Sequence, residues 1–481
     1  MEIKKFMWTL PLALTLAACG GDSSTSSPEV DPSNPDQSSN SVVPDSNPNP
    51  DNGGVASSAS EGGQTVSAVA LPAGAGVAAA DAMYATWKNR WIMTLDEEKA
   101  GGSTLDYSTF TDANATGIMT SKIGKVVTPA RVVWDGGGDY EGKCVIEGMT
   151  SWGTRNFTPA LAKKLGCTVS EGIGYGMLLA AIHSDWDLFD ALWAYNLIAR
   201  STAASGLMPW MYRSFTGLPK ISGASTSALD ADIDVATSLA IAGLKTGNAN
   251  YTADAIAVAS LIFEKGINPA NLLIRPGHTW MNKDVYNLSY FSPAALKLFA
   301  LIDPGHDWNA VLAANYTYMS QIQDNGCGLF PDWSNAAGEP VDPKNNSAAT
   351  TYMLFDKESV RIPWRIAWDM YWNQDPTAQK ILMGMANFIT TATANNPAAL
   401  PITSYDYKTG TLSSSNAKGV HYTGEYCLMG MGVNQPWLDA CYQTFAASVP
   451  AAPAGYSGTY FEEILMNLFG SLMNGKFVKP Y

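Results

Sequence analysis

Hydrophobic residues recur at helical spacing through most of the chain after its first seventy residues. Apolar side chains at positions i, i+3, i+4 and i+7 share one face of an α-helix, and they predict helices that pack on a common core. Alternating apolar and polar positions, which indicate a half-buried strand, are scarce. The helical pattern covers residues 80–92, 175–182, 188–198, 233–244, 255–263, 294–302, 311–322, 366–372, 378–391, 437–445 and 461–472.

About a dozen helices in some 410 residues are too many for a single bundle. The segments between them carry Gly, Pro, Asn and aromatic residues, which are typical of loops. We therefore predict an all-α domain over residues 71–481, built as a closed ring of helix pairs whose connecting loops gather at two ends.

The segment before this domain has the composition of a disordered linker. Residues 20–70 contain no Leu, Ile, Met, Phe, Tyr or Trp, and they are dominated by Ser, Pro, Asn, Asp and Gly. Such a segment buries too little apolar surface to offset the entropy of its chain. We predict a linker over residues 19–70, and its seven acidic residues, with no basic residue, supply about half of the net charge.

The first residues have the pattern of a processing signal. Lys4 and Lys5 precede a short apolar run, which ends in Leu-Ala-Ala-Cys at Cys19. This ending resembles a bacterial lipobox, which implies that residues 1–18 are a lipoprotein signal peptide and that Cys19 carries lipid. The alternative is an ordinary signal peptide with a Cys at this position by chance. The lipobox predicts an outer-membrane lipoprotein at the cell surface or facing the periplasm, bound to the membrane through Cys19.

Composition excludes several classes of partner. The formal net charge is −14, and an acidic surface repels phosphate backbones, so we predict no nucleic-acid partner. The chain has four His, no H-E-x-x-H and no C-x-x-C, so we predict no metal and no cofactor. We also expect a monomer.

The first segment with candidate chemistry surrounds Glu171, within T-V-S-E-G-I-G-Y-G-M. An isolated T-x-x-E pattern predicts a capping box, with Thr168 at the N-cap. The three glycines that follow each cost about 1 kcal/mol relative to alanine in a helix, which predicts the close approach of another backbone or a ligand. Glu171 is a candidate acid if burial or a second carboxylate raises its pKa, because the helix dipole alone favours the ionised form.

The second segment, S-A-L-D-A-D-I-D-V-A, contains Asp230, Asp232 and Asp234. A calcium loop would need Gly and Glu where Val235 and Ile241 stand, so calcium is disfavoured. Asp232 and Asp234 fit a helix start, where acidic residues complement the dipole. We place Asp230 just ahead of that helix, where its side chain can point into a cleft.

The third segment covers residues 354–365, L-F-D-K-E-S-V-R-I-P-W-R. It predicts a solvated charged loop that leads into a helix with Pro363 near its start.

Taken in order, these segments resemble glycoside hydrolase family 8. The chain contains S-E-G-x-G-Y-G-M, D-A-D-x-D, G-L-x-P-D-W and R-x-P-W-R, with G-L-M-P-W at residues 206–210 and S-Y-F-S-P at residues 289–293. The resemblance covers about residues 80 to 475. It implies an (α/α)6 barrel and the hydrolysis of β-1,4-linked glucans, xylan or chitosan with inversion at the anomeric carbon.

The resemblance also implies roles for individual residues. Glu171 matches the general acid, and Asp230 matches the residue that binds and helps to distort the sugar at the cleavage point. The family's base is usually the Asp of a D-A-x-R segment; Arg361 matches that Arg, and Glu358 stands where the Asp is expected. We favour Glu358 as the base, with Asp356 as the alternative.

Inversion needs an acid and a base about 6.5–9.5 Å apart, and sugar rings need aromatic platforms beside them. We expect Asp332 to accept a hydrogen bond from a sugar hydroxyl. The candidate substrate-binding residues are Trp210, Trp280, Tyr290, Asp332, Trp333, Arg361 and Tyr175.

Five cysteines remain after Cys19, and an exported protein can form disulfides. Proximity along the chain suggests Cys144–Cys167 and Cys427–Cys441.

The leading hypothesis is an inverting endo-β-1,4-glucanase that acts on a β-linked polysaccharide of the cellulose or mixed-linkage type. A chitosanase or endo-xylanase of the same family is the first alternative. A non-catalytic glycan-binding surface lipoprotein is the second.

Overall fold

The computed structural model describes residues 69–135, 143–149, 165–345, 347, 352–401, 403–413, 421–449 and 459–481. The residues described from Val69 to Tyr481 belong to one compact unit. The predicted signal peptide at residues 1–18, the lipid site at Cys19 and nearly all of the predicted linker at residues 19–70 lie outside the described residues, so they stay predictions.

Fifteen α-helices lie in the described part of the chain, and they alternate with short loops. They are α1 Val77–Trp91, α2 Leu95–Ala100, α3 Ser108–Thr111, α4 Ala113–Lys122, α5 Ser170–His183, α6 Trp186–Ser201, α7 Leu229–Thr246, α8 Ala249–Gly266, α9 Pro293–Ile302, α10 Trp308–Asp324, α11 Ile362–Asn373, α12 Pro376–Ala392, α13 His421–Leu428, α14 Gln435–Ser448 and α15 Tyr460–Met473.

Twelve of these described helices form a closed double ring. The inner helices α5, α7, α9, α11, α13 and α15 each contact the next, and α15 contacts α5. Each inner helix also packs on an outer neighbour in the chain: α6, α8, α10, α12 and α14 follow their partners, and α1 packs on α15. The contact of α15 with α5 closes the inner ring, and the contact of α1 with α15 completes the sixth helix pair. The predicted (α/α)6 barrel is confirmed.

Burial explains which helices lie inside. Every residue of the inner helix α5 from Gly172 to Ile182 is buried, as expected for a helix surrounded by others. The outer helix α12 buries one stripe only. Its buried positions are Ala378, Ile381, Leu382, Met385, Ala386 and Ile389.

The glycines of α5 allow the helices around it to approach closely. A Cβ atom at Gly174 would lie 2.8 Å from the carbonyl oxygen of Ala231 in α7. A Cβ at Gly176 would lie 2.8 Å from Val132. The close approach predicted from these glycines is therefore confirmed, and another helix backbone accounts for part of it.

Six short strands in the described residues pair as three antiparallel ribbons. The pairs are β1 Ile92–Thr94 with β2 Ala130–Val132, β3 Cys167–Val169 with β4 Met211–Arg213, and β5 Leu354–Phe355 with β6 Tyr405–Asp406. Strand β3 runs directly into α5, and β5 is followed by the 3-10 helix Ser359–Arg361, which runs into α11. Two more 3-10 helices are Leu288–Tyr290 and Pro397–Ala399.

All the helices expected from the hydrophobic pattern are present, but several begin earlier than predicted. Helix α5 begins at Ser170 rather than 175, and α7 begins at Leu229 rather than 233. Asp230 therefore lies inside the first turn of α7, not ahead of it. These first turns are rich in Gly or Asp, which conceals the apolar spacing. The pattern also missed α13 and the short helices α2 to α4.

Both suggested disulfides are confirmed. Cys144 pairs with Cys167, which fixes the strand that leads into α5, and Cys427 pairs with Cys441, which joins α13 to α14. The thiol of Cys327 donates to the carbonyl oxygen of Tyr407 at 3.0 Å.

Within the described ranges, none of the helices combines the length and the apolar character needed to cross a bilayer.

An ion pair links two inner helices that are not neighbours in the ring. Arg365 of α11 donates to both carboxylate oxygens of Asp234 in α7, at 2.5 and 2.7 Å. Neither side chain has any exposed surface. Asp234 is thus a structural partner across the barrel, and the interpretation that it only complements the helix dipole is wrong.

We expect Asp234→Ala to lower the free energy of unfolding by about 3–5 kcal/mol, because it leaves the buried guanidinium of Arg365 without its carboxylate. Urea unfolding monitored by circular dichroism measures this. The matched control is Asp324→Ala, which breaks an exposed pair with Lys380 and should cost less than about 1 kcal/mol. Equal losses in the two variants would contradict the structural role.

Candidate active site

The N-terminal ends of the inner helices carry the candidate residues at one end of the barrel. Glu171 lies in the first turn of α5 and Asp230 in the first turn of α7. Arg361 immediately precedes α11, Tyr290 comes shortly before α9, and Tyr460 begins α15. Helix N-termini favour nearby negative charge, so this end of the barrel suits a group of carboxylates.

Arg361 contacts all three predicted catalytic carboxylates. Its Nη1 donates to Glu171 Oε2 at 2.7 Å and to Asp230 Oδ2 at 3.0 Å. Its Nη2 donates to Glu358 Oε2, and its Nε donates to the Glu358 carbonyl oxygen at 3.2 Å. Since only 2% of Arg361 is exposed, one buried cation is shared by three acidic groups. The arginine therefore organises the carboxylates, and its predicted direct contact with sugar is not supported by this burial.

Glu171 is held at both oxygens. Arg361 donates to Oε2, and the hydroxyl of Tyr460 donates to Oε1 at 2.9 Å. Burial raises the pKa of Glu171 to about 7; the charges of Asp230 and Glu358 act in the same direction, and Arg361 opposes them. About 19% of the side chain remains exposed. Glu171 can thus carry a proton near neutral pH at a position that solvent reaches.

The capping box predicted around Glu171 is wrong. Thr168 lies in β3, where its hydroxyl donates to the carbonyl oxygen of Val132. The N-cap of α5 is Val169, and no side chain caps this helix end. The Glu171 carboxylate is directed towards Arg361 and Tyr460 instead of back to its own helix.

Asp230 is the most enclosed of the three carboxylates. It is 1% exposed, and the backbone N–H of Ala231 donates to Oδ1 at 2.9 Å. Burial raises its pKa, and the charge of Arg361 opposes the rise. Asp230 therefore adds negative charge behind Glu171.

Glu358 is the most exposed of the three, with 30% of its side chain accessible. Its Oε2 accepts a hydrogen bond from Asn287 Nδ2 at 2.8 Å, in addition to the bond from Arg361. Of the two candidate bases, Glu358 is favoured because it shares Arg361 with Glu171. The backbone N–H of Asp356 donates to Ser359 Oγ at 2.8 Å.

Asp332 does not have the surroundings expected of a sugar ligand. It is 8% exposed, and Oδ1 accepts hydrogen bonds from the segment that contains Glu358. The expectation that it binds a sugar hydroxyl is therefore wrong for this oxygen, because protein donors already occupy it.

Two groups of aromatic rings lie in the predicted platform loops; the tryptophans are half-buried and Tyr290 is buried. Trp280 and Trp333 stack with centroids 6.1 Å apart, and Tyr290 meets Trp333 edge-on at 6.4 Å. Trp210 meets Trp134 edge-on at 6.5 Å. The carbonyl oxygen of Trp210 accepts the N–H of Ser170, the residue before Glu171, so this second group flanks the candidate acid.

Tyr175 has no exposed surface, so its burial does not support the predicted contact with substrate, which stays a prediction. Arg361 Nη1 lies 3.2 Å from its hydroxyl oxygen, and Arg365 lies over its ring, with 5.8 Å between the guanidinium carbon and the ring centroid. Tyr175 therefore contacts both arginines, Arg361 through its hydroxyl and Arg365 through its ring. Two residues of the site, Tyr460 and Asn287, were not predicted. Tyr460 contacts Glu171 and Asn287 contacts Glu358, and both contacts join residues far apart in the chain.

Among the residues that the structure describes, no group of three or more His, Cys, Asp or Glu side chains is arranged to hold a metal ion.

Comparison with known proteins identifies the family. The family model described as glycosyl hydrolases family 8 matches residues 149–476. The chain belongs to glycoside hydrolase family 8. The resemblance found in the sequence is therefore confirmed, and Glu171, Asp230, Glu358 and Arg361 all lie inside the matched residues.

Individual relatives of the family are similar to parts of this chain. Endoglucanase 2 of Ruminiclostridium josui is 33% identical over 224 residues, which are 46% of this chain and 46% of that protein. The chain thus spans about half the length of this relative. Beta-glucanase of Niallia circulans is 30% identical over 302 residues, covering 59% of this chain and 72% of that protein.

A solved structure supports the fold. The apo structure of a beta-1,3-1,4-glucanase from Paenibacillus sp. X4 has a TM-score of 0.63 and 21% sequence identity, and the match covers 85% of this chain and 96% of that one.

The raised pKa of Glu171 predicts a pH-dependent loss of stability. Its pKa is about 7 in the folded state against an ordinary value of 4.5, so between these values the folded state holds a proton that the unfolded state has released. The stabilising effect of this proton is complete below pH 4.5 and is lost as the pH rises through 7. We expect Glu171→Gln, which cannot ionise, to gain about 3 kcal/mol relative to wild type between pH 4 and pH 8.

Thermal unfolding at the two pH values measures this gain. Glu339→Gln is the control. The Glu339 side chain is 63% exposed, and this substitution removes one negative charge outside the cluster. A Glu171→Gln variant that tracks wild type at both pH values would contradict the raised pKa.

Proposed function

We propose that this chain is an inverting endo-β-1,4-glucanase that hydrolyses cellulose-type or mixed-linkage β-glucans. The observation that carries the proposal is the shared hydrogen bonding of Glu171 and Glu358 to one buried arginine, Arg361. This arrangement places a carboxyl group whose pKa is raised to about 7 and a second, more exposed carboxyl group on the same cation. The names of the curated relatives, endoglucanase and beta-glucanase, support the choice of substrate.

Glu171 has the properties required of the general acid. With its pKa raised to about 7, it retains a proton up to near-neutral pH, and that proton is available for the leaving oxygen of the glycosidic bond. When it donates the proton to the leaving oxygen, the carboxylate that forms is already bonded to Arg361 and Tyr460. These donors stabilise the product of proton transfer without reorganisation.

Glu358 has the properties required of the general base. It is the more exposed carboxylate, and Asn287 and Arg361 both donate to Oε2. In the inverting reaction the base takes a proton from a water that attacks the anomeric carbon on the face opposite the leaving group. The side chain of Glu358 is one methylene longer than the Asp usual in the family, so its anchoring decides where that water is held.

Asp230 is assigned neither of these two proton-transfer roles. Its enclosed carboxylate keeps negative charge beside Glu171, which favours the protonated form of the acid. We assign it the binding and distortion of the sugar ring at the cleavage point, as the family resemblance implies.

The aromatic groups suit a neutral glucan chain. Trp280 stacks on Trp333, which follows Asp332, the acceptor of the Glu358 N–H. Trp210 is joined through its carbonyl oxygen to Ser170, the residue before Glu171, so each carboxylate has an aromatic group attached to a neighbouring segment. The ammonium of Lys283 lies 4.1 Å from the Trp280 ring centroid. A cationic glucosamine unit on this platform would meet that charge, which favours glucan over chitosan.

Substitution of the carboxylates tests the assignment. We expect Glu171→Gln and Glu358→Ala each to lower kcat on carboxymethyl-cellulose and mixed-linkage β-glucan by about 10²–10⁴-fold, because each removes a proton-transfer group. Asp356→Ala should lose less. Reducing-sugar release gives the rates, and proton NMR of fresh product gives the anomer, which inversion predicts to be α.

The outcomes separate the alternatives. Full activity in Glu171→Gln would remove Glu171 as the acid, and a greater loss in Asp356→Ala than in Glu358→Ala would make Asp356 the base. Turnover of chitosan or xylan in place of glucan would change the substrate. Oligosaccharide binding by calorimetry without turnover would favour a binding lipoprotein.

We further propose that the protein is an outer-membrane lipoprotein, held through lipid on Cys19 and extended from the membrane by the linker over residues 19–70. The lipobox-like ending at Cys19 and the acidic, Ser- and Pro-rich linker support this.

We expect Cys19→Ala to move the protein from the membrane fraction to the soluble fraction, because acyl chains on Cys19 supply the membrane affinity. Fractionation followed by immunoblotting measures the shift, and mass spectrometry of the mature N-terminus identifies the lipid. Retention of the variant in the membrane fraction would contradict lipidation at this residue. Cys327→Ala is the matched control.

A further inference from the structure

A carboxylate outside the catalytic group lies against the segment that holds the candidate base. Asp332 Oδ1 accepts hydrogen bonds from the backbone N–H groups of Asp356 at 3.1 Å, Glu358 at 3.1 Å and Ser359 at 3.0 Å. The hydroxyl of Ser359 donates to the same oxygen at 2.8 Å. Four donor groups from three residues, Asp356, Glu358 and Ser359, thus converge on one oxygen atom.

This convergence sets the backbone path of the segment. Residues 356–358 connect β5 to the 3-10 helix that begins at Ser359, and they lie outside any strand or helix. Successive N–H groups directed at one point form an anion-binding concavity. Here the anion is a side chain of the same protein, and Ser359 Oγ also accepts the Asp356 N–H at 2.8 Å, which tightens the turn.

The side chain of Glu358 is fixed separately. Asn287 donates to its Oε2, and Asn287 is itself held because Ser289 donates to it from both its N–H, at 3.0 Å, and its hydroxyl, at 2.6 Å. Arg361 donates to the same oxygen of Glu358. The backbone of Glu358 thus depends on Asp332, and its carboxylate depends on Asn287 and Arg361.

We propose that Asp332 is a positioning residue that fixes the backbone of Glu358, so that the longer Glu side chain places its carboxylate where the attacking water is held. This inference rests on the proposed function. A carboxyl oxygen suits this purpose because it can accept several hydrogen bonds at one point. A displacement of about 1 Å in a catalytic group can cost about 100-fold in rate.

Asparagine keeps much of this arrangement. All four donors go to Oδ1, and an amide oxygen at the same place accepts the same hydrogen bonds. Burial and the charge of Glu358 raise the pKa of Asp332 to about 7, so the segment already tolerates a neutral group near neutral pH. An alanine, by contrast, removes the acceptor of the Glu358 and Ser359 N–H groups, while the Asp356 N–H keeps its bond to Ser359 Oγ.

The test compares Asp332→Ala with Asp332→Asn in the full chain on mixed-linkage β-glucan. We expect Asp332→Ala to lower kcat by about 100-fold with KM within about threefold, because the base is displaced while sugar contacts remain. Asp332→Asn should stay within about tenfold of wild type. Asp324→Ala, at an exposed aspartate in α10, is the control.

Each other outcome overturns the proposal. A raised KM with unchanged kcat in Asp332→Ala would make Asp332 a sugar ligand, and equal losses in the Ala and Asn variants would show that its charge matters more than its acceptor. If Asp332→Ala does not fold, Ser359→Ala removes one donor and should lower kcat by about tenfold at unchanged KM; no change there overturns the role.

Failure of the proposed function is distinguishable. A wild-type protein that hydrolyses none of the glucans overturns the proposed function, and the positioning role falls with it. An active wild type with an unchanged Asp332→Ala variant overturns the positioning role alone.

Discussion

The guanidinium of Arg361 controls the electrostatics of this protein's candidate active site. It is buried, and it is the cation shared by Glu171, Asp230 and Glu358. One positive charge cannot balance three negative ones in a poorly solvated site, so the group is most stable when one carboxyl keeps its proton. Burial raises the pKa of Glu171 to about 7, and it also raises the pKa of Asp230. Of these two side chains Glu171 is the more exposed, at 19% against 2%, so it is the one that can exchange its proton with solvent or substrate.

The ring of helices makes this arrangement possible. Arg361 is 190 positions from Glu171 and 131 from Asp230 along the chain, and these residues meet because the inner helices begin at the same end of the barrel. The glycines of α5 let α7 approach, which brings the first turns of these two helices together. The helix dipoles at this end stabilise the ionised carboxylates, so burial and charge repulsion must exceed that effect to hold a proton on Glu171.

The sequence was sufficient for the architecture and for the identity of the central residues, but not for all their roles. Helical spacing predicted the long helices because their apolar stripes follow from packing. It missed α13, an eight-residue helix in which Gly424 and Glu425 interrupt the apolar spacing. The motifs located Glu171, Asp230, Glu358 and Arg361.

Asp332 and Tyr175 were assigned to sugar contacts because a motif gives the residue and not its burial. Tyr460 was missed because its hydrogen bond with Glu171 joins positions 289 residues apart. The direction of a side chain at a loop end depends on partners that arrive from distant segments.

The site also has a second layer, which explains why a cluster of excess negative charge can be held rigidly. One turn deeper on the same three helices, Tyr175 follows Glu171, Asp234 follows Asp230 and Arg365 follows Arg361, each four residues on, and residues at this spacing share a helix face. The deeper layer is a neutral, fully buried ion pair covered by a tyrosine ring. The two charges of this pair cancel, so the deeper layer adds no net charge beneath the upper one, where Glu171 and Glu358 are partly exposed. The lower pair ties α7 to α11, so the carboxylate and the arginine above it keep their separation while their protonation changes.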